Sequence, residues 1–95
     1  MNPAPLAWFY VYLLKSKKDG SFYIGCTSNL QKRLEEHKNG KCYSTRKILP
    51  IEVIYVEAYK SKKDAYNREK QLKCYGNALR NLKIRIKHTL ERGAG

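Results

Sequence analysis

Tyrosine, arginine, histidine and glutamate stand in this sequence at spacings that could gather them into one site. Tyr10 and Tyr12 share parity within the aromatic, β-branched run 8–14, so on a strand they point to one face. Tyr23, in a second apolar run 22–26, joins that face if the turn between the runs holds an even number of residues. Two or three phenols then line one sheet surface, or simply fill an aromatic strand. Arg33 and His37 stand at i and i+4 beside Leu30 and Leu34, so on a helix they edge its buried stripe. The bland counterpart is a snorkelling arginine and a boundary histidine. Glu69 lies within an apolar helical stripe of Ala65, Leu72 and Gly76. An unpaired buried carboxylate is costly, so this one must meet a cation, a metal ion or a cavity. Its oxygens suit Mg2+ or Mn2+, which keep waters and take few protein ligands. An ion pair with Arg33 is the structural alternative.

The elements that must position these groups are legible in the same chain. Residues 8–14 and 22–26 read as two strands around the turn dipeptide Asp19-Gly20, a hairpin. Residues 28–38 read as a helix, capped by Ser28 or Asn29 and ended by Asn39-Gly40. A basic loop without acids, 41–50, leads to a third strand at 51–59. Ser61-Lys62-Lys63-Asp64 is a capping-box pattern that opens a helix to about Tyr75, and Gly76 breaks it. A last basic helix, about 77–88, buries Leu79, Leu82, Ile86 and Leu90. The order ββαβαα predicts an α+β fold, a small three-stranded antiparallel sheet flanked by helices. One domain is expected over 8–90, between a flexible arm at 1–7 and a flexible tail at 91–95.

Composition narrows the function classes. The 95 residues carry 20 Lys and Arg against 8 Asp and Glu, a formal charge of +12, yet 42% are hydrophobic. That is too apolar for a disordered tail and points to a folded domain with a polyanionic partner. Eleven of the Lys and Arg residues, against three acids, lie in 60–95. Cys26, Cys42 and Cys74 form no C-x-x-C pair, which argues against a disulfide framework or structural zinc and for reduced thiols in the cytoplasm. The longest apolar run, 6–14, is too short for a bilayer span, so no membrane association is expected.

Tyr10-Val11-Tyr12, Tyr23-Ile24-Gly25, Thr27, Leu30, Arg33, Leu34 and His37 together resemble the signature of the GIY-YIG endonuclease domain. Pro50, the strand from Val53 to Glu57, Ala65 and the run Arg68-Glu69-Lys70-Gln71-Leu72-Lys73 resemble its second half. The resemblance covers about 8–88 and is to the small stand-alone bacterial proteins of this type. It departs from the pattern at Tyr10-Val11, where the family has Gly-Ile, and at Cys26, where some branches have Lys.

The resemblance implies hydrolysis of DNA phosphodiester bonds with one divalent cation, Mg2+ or Mn2+, on Glu69. Tyr12 and Tyr23 would bind and activate the attacking water, one of them as general base. Arg33 would stabilise charge at the phosphate, and His37 would relay a proton or orient the nucleophile. A tyrosine with an ordinary pKa near 10 serves as a base near neutrality only where a cation favours the phenolate, and Arg33 beside Tyr23 is expected to supply that field. Lys41, Thr45, Arg46, Lys47, Lys73 and Asn81 are the expected nucleic-acid contacts, with Asn81 preferred to Asn77 as a late asparagine. The expected partner is DNA, branched or damaged forms included and RNA second, bound by a monomer or transient homodimer with a place in DNA repair. The rival expectation is a nucleic-acid-binding module of the same fold with weak or absent cleavage.

Overall fold

The computed structural model describes residues 7–93. Strand β1 (Phe9–Ser16) is buried continuously from Val11 to Leu14. A strand covered on both faces needs apolar residues at both parities, and β1 occupies the middle of the sheet order β2-β1-β3. It pairs antiparallel with β2 (Phe22–Thr27) and β3 (Ile51–Tyr59). The Ser16 amide donates to the Ser21 carbonyl at 2.8 Å, which leaves the four-residue loop 17–20. Gly20 there adopts φ 76°, a left-handed conformation that suits glycine. The even loop sets Tyr12 opposite Gly25 and Leu14 opposite Tyr23. Tyr12, Tyr23 and Gly25 therefore share a face, as parity predicts.

On the other face, Val11, Leu13 and Ile24 pack with Ala65, Leu72, Leu82 and Ile86 to form the core. These come from α2 (Lys62–Cys74) and α3 (Gly76–Arg85), with Ile86 just beyond α3. The Ser61 hydroxyl caps α2 by accepting from the Asp64 amide at 3.3 Å. A register shift between Leu13 and Leu14 sets Tyr55, Glu57 and Tyr59 of β3 on this core face. There Glu57 accepts from Arg68 Nε at 2.9 Å and from both tyrosine hydroxyls. Burial would raise the Glu57 carboxyl, but the bonds from Arg68, Tyr59 and Tyr55 outweigh it and hold the pKa below its ordinary value.

The single last helix expected at 77–88 is two helices, α3 and α4 (Lys87–Gly93). Ile86, at φ −104° and ψ 30°, leaves the helical region between them while staying buried. The bend lets Leu90 also pack against the core. The order is thus ββαβααα, within the α+β class. Gly76 opens α3 and is exposed, so it does not belong to the apolar stripe. Helix α4 also replaces the tail expected from Glu91, as far as Gly93. Residues 94–95 and residues 1–6 of the expected arm lie outside the described residues. Among the described residues no helix is long and apolar enough to cross a membrane.

Candidate active site

Helix α1 (Leu30–Lys38), capped by the Asn29 side chain on the Lys32 amide at 3.1 Å, lies against the Tyr12 face of the sheet. Its last turn carries His37, which is 0% exposed. Tyr12 Oη lies 2.8 Å from His37 Nε2, and Thr45 Oγ1 lies 2.7 Å from His37 Nδ1. Burial pushes the Tyr12 hydroxyl up to about 12, although Arg33 beside it acts the other way. Tyr12 therefore keeps its proton at neutral pH. Tyr12, keeping its proton, can donate its O–H to His37 Nε2. In that tautomer the imidazole proton sits on Nδ1, facing Thr45 Oγ1. Burial first, and then the Arg33 charge, lower the His37 pKa, which favours the neutral ring this chain requires.

Tyr23 completes an aromatic triangle, its ring centroid 6.4 Å from that of Tyr12 and 5.2 Å from that of His37. It is half-buried, whereas Tyr12 is enclosed. Gly25 makes the triangle possible. A Cβ at this position would stand 2.3 Å from both Cζ and Oη of Tyr12. The tyrosine ring lies where any other side chain would be.

Glu69 approaches from the other side of the sheet. Cys26 and Tyr23 have opposite parity on β2, the edge strand. Burial, then the Glu69 charge, push the Cys26 thiol up. Glu69 Oε2 pairs with Lys73 Nζ at 3.1 Å, and the Lys73 ammonium also lies 6.0 Å from the Tyr23 ring centre. Lys73 thus links the two halves of the site around the edge of β2.

The structural alternative for Arg33 is corrected. It does not pair with Glu69, because its guanidinium bonds Glu36 on its own helix at 3.3 Å. Arg33 acts on Tyr12, and the Lys73 ammonium lies over the Tyr23 ring. Arg33, Glu36, Lys32, Asn29 and Cys26 line an open groove of about 300 Å3.

The expected nucleic-acid contacts divide. Lys41, Arg46, Lys47 and Lys73 are exposed, but Thr45 is 0% exposed and spends its hydroxyl on His37. Thr45 is a positioning residue rather than a surface contact. Asn81 lines a different groove, with Arg68, Ala78, Leu82 and Arg85. Gly25 and Thr45 are the positions whose parts in the site sequence reading missed. A glycine within a strand, opposite a tyrosine, was the available signal for the first. Nothing local signalled the second.

For a metal ion, the site offers the Glu69 carboxylate, whose Oε2 pairs with Lys73. Among the described residues no three His, Cys, Asp or Glu side chains are grouped to hold a metal. One carboxylate fits a hard cation that keeps its waters and takes substrate phosphate oxygens. It does not fit a protein cage of the zinc type.

Comparison with known proteins agrees with this fold. A UPF0213 protein of Clostridium perfringens is 40% identical over 79 residues, spanning 81% of this chain and 80% of the relative. One from Streptococcus pneumoniae is 42% identical over 65 residues, 67% of this chain and 65% of the relative. The solution NMR structure of a UPF0213 protein from Bacillus halodurans, 31% identical, superposes with a TM-score of 0.53 over 84% of this chain and 85% of that one. The description "GIY-YIG catalytic domain" matches residues 8–88, which contain both tyrosine strands, α1 and Glu69, and so the chain belongs to the GIY-YIG family.

Proposed function

We propose that this protein is a metal-dependent endonuclease that hydrolyses DNA phosphodiester bonds. The observation that carries the reading is the convergence of Tyr12, Tyr23, His37 and Arg33 on one side of β2 with Glu69 and Lys73 around its edge. A Mg2+ or Mn2+ ion held by Glu69 would supply charge neutralisation at the scissile phosphate. Tyr23, the half-buried phenol, contacts the attacking water and takes its proton. Tyr12 keeps its proton and, fixed through His37 to Thr45, orients the site rather than serving as its base. Arg33, half-exposed at the groove, neutralises charge that develops on the phosphate. Exposed Lys41, Arg46 and Lys47 grip backbone phosphates without reading sequence. The free thiols of Cys26, Cys42 and Cys74 suit a reducing compartment, the cytoplasm in this reading.

The test is incubation with supercoiled, single-stranded and branched DNA in Mg2+, Mn2+ or EDTA. Nicking should require metal and disappear in Glu69→Gln and Tyr23→Phe. A second reading, a binding module with little turnover, draws on the Lys73 ammonium that occupies Glu69 Oε2 at 3.1 Å. Tight, salt-sensitive binding with no cleavage in any metal would establish that reading and overturn the first.

A further inference from the structure

The 41–47 loop has two sides. Its inward residues, Cys42 and Thr45, are buried, and Thr45 holds His37. Its outward residues include Tyr43, which is 72% exposed. The Arg46 guanidinium lies 4.9 Å from the centre of the Tyr43 ring, and the Lys47 ammonium lies 6.0 Å from it. The loop also has a second anchor. Ser16 Oγ donates to the Ile48 carbonyl at 2.6 Å, and Lys18 Nζ donates to the Lys47 carbonyl at 3.2 Å. A large aromatic ring is therefore held open to solvent, with cations beside it, on a loop pinned to the catalytic cluster.

An exposed tyrosine gains little from burial in the folded chain, since most of its apolar surface stays in water. With arginine beside it, the ring has the chemistry of a platform on which a nucleobase stacks while the adjacent cations meet the backbone. A base stacked within an intact duplex offers no free face to such a ring. We propose that Tyr43 stacks on an unpaired base beside the bond to be cut, which makes the substrate DNA with single-stranded character at a branch, gap or end. The proposal rests on the nuclease reading for the cleavage step, but the stacking contact does not require it.

Binding is measured in EDTA, by fluorescence anisotropy, on labelled single-stranded, gapped and fully paired DNA. Tyr43 is on the surface, so its variants should keep the fold, which circular dichroism checks. Tyr43→Ala should weaken binding to single-stranded and gapped DNA about tenfold and leave duplex affinity unchanged. Tyr43→Phe, which keeps the ring, should bind like the parent, and Arg46→Ala should weaken all three substrates. Equal weakening by Tyr43→Ala on paired and unpaired DNA, or none on either, would overturn the proposal. A protein that nicks DNA yet shows either result fails this inference alone. One that never cuts but shows the selective loss fails only the nuclease reading.

Discussion

Tyr12 and Gly25 face one another across β1 and β2, and the tyrosine ring fills the space a Cβ on Gly25 would need, 2.3 Å from such an atom. The glycine is required by volume, since its backbone is not in the left-handed region. Gly25→Ala must displace a ring that is 1% exposed. Overpacking of this kind costs about 1–3 kcal/mol. Urea unfolding should show that loss, and the aromatic NMR signals of Tyr12 and His37 should move. Parent-like stability and spectra would mean that the ring has room to yield.

Tyr12 and Tyr23 should separate when each loses its hydroxyl. Tyr12→Phe leaves buried His37 Nε2 without its partner, a cost of about 1–3 kcal/mol. Tyr23→Phe, at the half-buried phenol, should barely change stability but should abolish nicking. Denaturation beside a plasmid-nicking assay reads both effects. If Tyr12→Phe proved the more damaging to turnover in folded protein, the assignment of the base would have to be reversed.

Arg33 should matter to rate and not to folding. Its side chain is 42% exposed, and its pair with Glu36 is an i,i+3 surface contact worth less than about 1 kcal/mol. Removing a group that stabilises developing charge typically costs about 10²–10³ in rate. Arg33→Ala should therefore lose activity on that scale with a nearly parental Tm. A large drop in Tm would show instead a structural part for the guanidinium.

Stability should fall in acid in two windows. His37 is held below its ordinary pKa of 6.5, so the unfolded chain takes up that proton first. Its contribution is complete above 6.5 and is lost as pH falls from there towards the folded-state value. Glu57 is held below its ordinary 4.5, so its contribution is full above 4.5 and is lost as pH falls further. Chemical denaturation across this range should show both slopes, and His37→Gln should flatten the upper one. Persistence of that slope in His37→Gln would assign it to another group.

Arg68 and Glu57 are predicted to serve the fold. Arg68→Ala strips a largely buried carboxylate of its bonds from Nε and Nη2. The loss should be about 2 kcal/mol or more in urea unfolding. Because the pair lies at β3, the sheet edge opposite β2 where Glu69, Lys73 and Tyr23 meet, DNA nicking by the folded fraction should persist.

The sequence alone determined the strands and the first two helices, and it put Tyr12 and Tyr23 on one face on condition of an even turn. These rest on local information: parity within a strand, an even turn at 17–20, caps at Asn29 and Ser61, and the 3.6-residue period of Ala65 and Leu72. It also marked Glu69 as a carboxylate in need of a partner. Its partner Lys73, at i+4, was within local reach, whereas the separation of Arg33 from it was a tertiary matter. Lys73 meets Glu69 because both lie on one helix turn, while Arg33 is taken up by Glu36 and Tyr12 on the opposite face of the sheet. Thr45 looked like surface in a basic, acid-free loop, and only packing of that loop against α1 turned its hydroxyl onto His37. The break at Ile86 was likewise decided by where Leu82 and Leu90 find the core. Parity and period fix which way a side chain points from its own element. What it meets on its own helix follows from i,i+3 and i,i+4 spacing, but what it meets on another element depends on how the elements pack.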